Sequence, residues 1–366
     1  MKVVFSGGGT GGHVYPALAV ATALAQELGE DEALDALYLG TATGIEKELV
    51  TRAGLPFRAV AAGAFRGRSP WGLTASLLKL ARGVAQARAA IAQFQPQAIL
   101  TTGGYASVPV AIAARTSHRL PLVLYLPDVR PGWAVRLMTR LSQRVAVTTD
   151  RSLPYLPAAK TVVTGYPVRP AFWQAAKTEG RRRLAIDPQE RVLFITGATH
   201  GARSLNRMVA DHLPQLLELC QIIHLSGHSD EPRLERLRRD LPDRLRPRYH
   251  LYGYMHEDLP WAMAAADLAL MRAGASVMGE LPAIGLPAIL VPYPHAGGHQ
   301  LFNARFLADA GAALVVEDNK LNGLLPLIGE LLVDEARRAT MAEAARRLAR
   351  PEAATNIARL LLEVAK

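Results

Sequence analysis

Short runs of β-branched and leucine residues alternate with longer Ala/Leu-rich stretches of helical period from one end of the chain to the other. That is the pattern of parallel strands wrapped by helices. In the first half, the runs that read as strands cover residues 3–6, 36–40, 98–102, 122–126, 145–148 and 161–164. A second series follows at 192–196, 222–226, 250–252, 268–271, 288–291 and 313–316. Helical periodicity begins at about Tyr15 and runs to Leu28, with Pro16 in a first turn, where its missing N–H is harmless, and Gly29 as the stop. Between the two series, Gly165-Tyr166-Pro167-Val168-Arg169-Pro170 places two prolines where no regular element continues. The expected architecture is α/β, with two Rossmann-like parallel-sheet domains facing across a cleft. The first covers 1–163 and the second 164–350; a C-terminal helix over 351–366 is free to return to the first.

The chain has 366 residues, enough for two cores, and its 50% hydrophobic and 20% charged residues are an ordinary globular composition. One cysteine, Cys220, excludes an internal disulfide and fits a reducing compartment. No apolar run reaches the ~20 residues that span a bilayer, and the N-terminus leads straight into a strand without a signal peptide, so a soluble protein is expected.

Charge adds an asymmetry. Residues 1–165 hold 17 Lys/Arg against 9 Asp/Glu, whereas residues 166–366 hold 25 against 23. Between Glu48 and Asp128 there is no acidic residue, while Arg52, Arg58, Arg66, Arg68, Lys79, Arg82, Arg88, Arg115 and Arg119 fall in the gap. Such a cationic face suits nucleic acid, anionic lipid or an anionic substrate, or is only a solvated surface. Phe65-Arg66-Gly67-Arg68-Ser69-Pro70-Trp71 in that gap has the apolar and basic mixture of a segment resting on lipid headgroups. Leu77, Leu78 and Leu80, which follow, read instead as the buried face of an amphipathic helix.

Four glycine-bearing turns follow predicted strands: Gly7 to Gly12, Gly103-Gly104-Tyr105, Gly197-Ala198-Thr199-His200-Gly201-Ala202 and Arg272-Ala273-Gly274-Ala275-Ser276. Glycine lets backbone N–H groups approach a ligand, and the helix beginning next presents its positive end. Gly7-x-Gly9-x-x-Gly12 also matches a dinucleotide fingerprint, but that reading requires an Asp or Glu at the end of the second strand. Asp35 precedes the strand and Glu46 lies beyond it, so NAD or FAD is disfavoured. His13 at a helix start is better suited to taking a proton, since a helix N-terminus favours the neutral imidazole. Capping of its own helix is the plainer reading.

In the second half, Glu280 is placed to accept hydrogen bonds from both hydroxyls of a ribose, and Gln300 follows a Pro/Gly-bounded loop suited to sugar hydroxyls. Asn303 reads as a helix cap. Neither Asp-x-Asp nor a zinc-type His/Cys spacing occurs, so the chemistry expected is metal-independent, without a cofactor.

Taken together, GGTGGHVYPALAV from Gly8, TTGGYASVP from Thr101, TGYPVRP from Thr164, RAGASVMGELPAIGLPAILVP from Arg272 and HQLFNA ending at Ala304 closely resemble the MurG family along almost the whole chain. The resemblance implies a GT-B fold and inverting transfer of GlcNAc from UDP-GlcNAc to lipid I, the undecaprenyl-linked MurNAc-pentapeptide, giving lipid II. It implies UDP-GlcNAc, that lipid acceptor and an anionic membrane surface as partners, no nucleic acid, and a peripheral location at the cytoplasmic face of the cell membrane.

Carried over by motif, Thr10, Gly11 and Gly12 contact sugar or diphosphate with His13 beside them as base, and Tyr105 belongs to the substrate-binding set. Arg169 matches the arginine of N-P-V-R, with Tyr166 in place of Asn. Thr199 matches the serine of G-G-S-Q-G. Arg272 heads the nucleotide loop, in which Ala275, Ser276, Val277, Met278, Gly279 and Glu280 bind the nucleoside, Val277 replacing a hydroxyl residue. Met255 gives a backbone contact to uracil, and Gln300 matches the second glutamine of a Q-Q pair whose first is His299 here. The family's H-E-Q-N reads Tyr125-Leu126-Pro127-Asp128, so of that acceptor-side motif only Asp128 retains a polar side chain suited to proton transfer. Rival readings are a related transferase with another acceptor, a UDP-GlcNAc 2-epimerase, a nucleotide-dependent oxidoreductase and a non-catalytic UDP-sugar binder.

Overall fold

The computed structural model describes residues 1–29, 32–63, 70–117, 120–198, 201–295 and 298–365, with backbone alone at 70–73, 75 and 117. Phe65 to Ser69, Arg119, Thr199 and His200, and the Trp71 side chain, therefore lie outside what is described.

Two compact units divide the chain: Met1–Arg169 with Arg350–Lys366, and Pro170–Ala349. In the first, seven parallel strands form one sheet: β1 (Lys2–Ser6), β2 (Asp35–Gly40), β3 (Phe57–Ala59), β4 (Ala98–Thr101), β5 (Leu122–Leu126), β6 (Arg144–Val147) and β7 (Thr161–Val163). They lie in the order β3-β2-β1-β4-β5-β6-β7. The second unit holds β8 (Val192–Thr196), β9 (Gln221–Leu225), β10 (Tyr249–Tyr252), β11 (Leu268–Met271), β12 (Ala288–Leu290) and β13 (Ala313–Val315), ordered β10-β9-β8-β11-β12-β13. Strand order reverses between β1 and β4 and again between β8 and β11. In open α/β sheets such a reversal opens a crevice at the carboxyl ends of the strands. The four glycine-bearing turns follow β1, β4, β8 and β11, so every one lies at a reversal.

Central strands such as β4, β5 and β8 are buried at every position, as parallel strands covered on both faces must be. β3 was not expected: Phe-Arg-Ala at a sheet edge has neither length nor apolar run. The first-unit helices are α1 (Gly11–Leu28), α2 (Ile45–Arg52), α3 (Pro70–Phe94), α4 (Val108–Ser117) and α5 (Trp133–Leu141). α1 starts four residues earlier than periodicity indicates, which puts Pro16 in its second turn rather than its first. On α3, Leu80 packs against the core but Leu77 and Leu78 are 53% and 73% exposed, so the expected burial fails for those two. The last helix, Ala353–Ala365, packs on α1, β4, β5 and β6. Cys220 is fully buried in the second core, and burial pushes its thiol up to about 12, which makes it a packing residue.

Candidate functional site

At the first reversal, the turns after β1 and β4 pack closely on one another. A Cβ on Gly7 would lie 1.9 Å from the Thr102 hydroxyl, and one on Gly104 only 2.5 Å from the Gly8 carbonyl oxygen. These glycines serve close packing. Gly9, at φ +96°, and Gly12 have room where a Cβ would stand. Thr10 is exposed and its side chain makes no capping bond to α1, and Tyr105 is exposed beside Gly9.

His13 is held in a defined tautomer. Its Nδ1 lies 2.7 Å from the Thr102 carbonyl oxygen, which can only accept, so Nδ1 carries the proton and Nε2 of the neutral ring keeps its lone pair. The Thr102 hydroxyl donates back to the His13 carbonyl, and the His13 N–H donates to Thr10 O at 3.1 Å. The imidazole is half-buried. Asp128 is half-buried two residues past the end of β5. Tyr125, by contrast, is fully buried with its hydroxyl 2.7 Å from Thr148 Oγ1, out of reach of any acceptor. Arg169 lies with its guanidinium carbon 4.2 Å from the centroid of the Tyr15 ring.

Glu46 is far along the chain from the end of β2, but the first turn of α2 carries its carboxylate back there. It accepts from Thr41 N at 2.9 Å, from the Thr41 hydroxyl and from Gly9 N at 3.4 Å, with no exposure. Gly8, Gly40 and Gly44 make room for it: a Cβ at any of them would come within 2.7 Å of its side chain. An acid therefore does stand at the end of the second strand, but it organises the glycine turn and offers nothing to a ribose.

At the second reversal, Ala198 sits at φ +63°, a conformation that costs a residue with a Cβ about 1 kcal/mol or more. Gly201 packs so that a Cβ would be 2.1 Å from Ser226 O. Beneath that turn lies a buried polar chain. Asn206 Nδ2 donates to Ser226 O at 2.8 Å and to Asp230 at 2.7 Å, so Asn206 Oδ1 accepts from His224 Nε2 at 3.0 Å. His224 Nδ1 then accepts from the Tyr249 hydroxyl at 2.8 Å. Burial holds His224 down at about 3, from an ordinary value of 6.5. Because the unfolded chain takes up this proton below pH 6.5 and the folded chain does not, stability must fall as pH drops through the window from 6.5 toward 3. Between pH 7 and 5 the expected loss is about 2 kcal/mol. Urea melts at the two pH values check it; a His224→Gln chain with the same pH dependence would assign the loss elsewhere.

The loop after β11 is fixed from three sides. Arg272 is 6% exposed, paired with Asp318 at 2.7 Å, and also donates to Val291 O and the Ser204 hydroxyl, so its guanidinium braces the loop. Gln300 Oε1 accepts from Ala273 N and Tyr293 N at 3.2 and 2.9 Å. Asn303, fully buried within the helix His299–Asp309, donates to Ala273 O at 3.1 Å; it ties that helix to the loop and is no cap. Val277 and Met278 are buried, whereas Gly274 and Ser276 are partly open. Ala275, Gly279 and Glu280 are buried around the start of the helix Val277–Ile284, and Met255 is buried in the loop after β10. Among the described residues no group of three or more His, Cys, Asp or Glu side chains is arranged to hold a metal ion.

Two parallel Rossmann-like sheets with glycine turns at both reversals are the build of GT-B glycosyltransferases. Models of the glycosyltransferase family 28 N-terminal and C-terminal domains match residues 3–147 and 192–357. A Roseiflexus sp. (strain RS-1) protein named UDP-N-acetylglucosamine--N-acetylmuramyl-(pentapeptide) pyrophosphoryl-undecaprenol N-acetylglucosamine transferase is 43% identical, covering 97% of this chain and 93% of its own. A Moorella thermoacetica protein of the same name is 38% identical over 99% of each chain. The crystal structure of Acinetobacter baumannii MurG superposes with TM-score 0.72 at 27% identity, over 99% of both chains. UDP-GlcNAc 2-epimerase from Neisseria meningitidis shares the fold at TM-score 0.71 and 16% identity, over 99% of this chain and 100% of its own. The chain belongs to glycosyltransferase family 28, and within it to the MurG family.

Proposed function

We propose that this chain transfers GlcNAc from UDP-GlcNAc to the 4-hydroxyl of the MurNAc unit of lipid I, giving lipid II, by an inverting and metal-independent displacement. The near full-length relatives named for this transfer support the reaction, and one geometric observation carries the chemistry: the Thr102 carbonyl holds His13 with Nε2 free to accept a proton. The acceptor oxygen attacks the anomeric carbon as its proton passes to Nε2, and the C–O bond to UDP breaks with its electron pair leaving on the diphosphate. Asp128 is the acceptor-side carboxylate, Thr10, Gly11 and Gly12 contact the sugar or diphosphate, and Tyr105 belongs to the substrate-binding set. Arg169, Thr199 and the N-terminus of the helix Arg203–Asp211 meet the diphosphate charge. Glu280 takes the ribose, Met255 and the backbone of Ala275 to Gly279 take the nucleoside, Gln300 takes the sugar, and Arg272 braces the loop that does so.

In this reading residues 1–163 handle the acceptor and residues 164–350 the donor. Exposed Leu77 and Leu78, beside exposed Lys79 and Arg82 in the stretch without acids, rest on an anionic membrane surface at its cytoplasmic face. No helix among the described residues is long and apolar enough to cross a membrane.

One assay tests the reading: UDP release from a panel of UDP-sugars in EDTA, with a lipid I analogue absent, in anionic vesicles or in zwitterionic vesicles. The expected result is release from UDP-GlcNAc alone, only with acceptor, and faster on anionic vesicles. Acceptor-independent consumption of UDP-GlcNAc, or loss of activity in EDTA, would overturn it.

A further inference from the structure

Pro16 in the second turn of α1 leaves a gap in that helix. It has no N–H, so the carbonyl of Gly12, four residues earlier, receives no helical hydrogen bond. The Tyr166 hydroxyl fills the vacancy, donating to Gly12 O at 3.2 Å across 154 residues of sequence. That carbonyl belongs to the peptide unit joining Gly12 to His13. Its N–H side is held by Thr10 O and its C=O side by Tyr166, so the plane from which the imidazole hangs is fixed at both ends.

Tyr166 is itself held. It is 3% exposed, and its ring meets the fully buried Tyr125 ring edge to face, 6.3 Å between centroids. The Thr148 hydroxyl donates its one proton to Pro127 O at 2.8 Å, so the Tyr125 hydroxyl must donate to Thr148. Tyr125 and Tyr166 are two of the positions where this chain departs from the motifs it resembles, and the two departures touch each other.

We propose that Tyr166 is a positioning residue for the transfer reaction: its hydroxyl, buttressed by Tyr125, orients the Gly12–His13 peptide so that Nε2 of His13 meets the acceptor hydroxyl. The proposal rests on the reading of His13 as the base. A misplacement of about 1 Å at a reacting group costs on the order of 100-fold, so a tilt of this plane is felt in turnover before it is felt in donor binding.

Tyr166→Phe keeps the ring and removes only the donor. Its kcat is expected to fall about tenfold with KM for UDP-GlcNAc within about twofold of the parent. Pro16→Ala restores an N–H at position 16, so the pair Tyr166→Phe/Pro16→Ala regains most of the lost kcat. In a His13→Ala background, Tyr166→Phe costs nothing further. Thermal unfolding of each variant accompanies the kinetics. The inference is overturned by an unchanged kcat in Tyr166→Phe, by an equal loss in the His13→Ala background, by failure of Pro16→Ala to rescue, or by a loss that tracks the unfolded fraction. Full turnover in His13→Ala alone would instead overturn the base assignment, whatever Tyr166→Phe does.

Discussion

His13→Ala lowers turnover by about 10²–10⁴-fold while KM for UDP-GlcNAc moves little, the signature of losing a group that acts on the proton in the transition state. The size follows from the tautomer. With Nδ1–H committed to the Thr102 carbonyl, the ring offers one basic nitrogen, and after protonation the same carbonyl goes on accepting from the imidazolium. His13→Asn separates this role from a purely architectural one. An asparagine Nδ2 at the Nδ1 position can still donate to Thr102 O, so the tie between the turns after β1 and β4 survives, but no base remains. Both variants should be equally slow in single-turnover assays at saturating donor. An asparagine variant near parental turnover would reduce His13 to a bracket between two turns, and attention would pass to Asp128.

Strands whose burial on both faces demands a continuous apolar run were legible to within a residue: 122–126, 192–196 and 268–271 match β5, β8 and β11. Periodicity failed where it carries no information. β3 is three residues with an arginine at its centre, paired only at an edge, and nothing in Phe-Arg-Ala demands a strand. The start of α1 differs from the expectation because two glycines and a histidine have poor helix propensity, yet Gly11, Gly12 and His13 are helical. Leu77 and Leu78 have the spacing of a buried stripe, and only the packing shows that the covered face of α3 runs instead through Ser76, Leu80, Val84 and Ala87.

The position of the glycine turns and of His13 at strand ends was readable because strand-turn-helix order places such turns there. What each glycine does was not. Gly7 is required by the Thr102 hydroxyl, Gly8 by the buried Glu46 carboxylate and Gly104 by the Gly8 carbonyl, whereas Gly9 and Gly12 have room around them, a distinction made by what the neighbouring elements bring alongside. The partners of Arg272 likewise come from Ser204 and Asp318, remote in sequence, and through them its guanidinium braces the loop. Sequence spacing finds residues on one element; these roles depend on what a second or third element brings alongside.

Removing the last helix is the second large effect. A chain ending at Ala349 loses Ile357, Leu360 and Leu361, whose exposures are 0%, 9% and 0%, and uncovers α1 with β4, β5 and β6. Burial of each such side chain contributes about 1.5–3 kcal/mol, so together they approach the ~5–15 kcal/mol that holds an ordinary domain. The helix also anchors the segment that carries Tyr166: Gly165, at φ +93°, packs so that a Cβ would lie 2.5 Å from Arg350 Cβ and 3.1 Å from Ala353 Cβ. Ion pairs from Arg359 to Glu27 and Arg144 to Glu363 are exposed and contribute little beside that burial. The second unit has its own core and gives up none of it. The truncated chain should therefore lose the cooperative unfolding of residues 1–169 while residues 170–349 keep theirs, and a full-length Ile357→Asp chain should behave alike. Limited proteolysis reads this directly, as cleavage throughout the first unit with a protected fragment from the second. Equal protection of both units would show that the first core closes without its final helix.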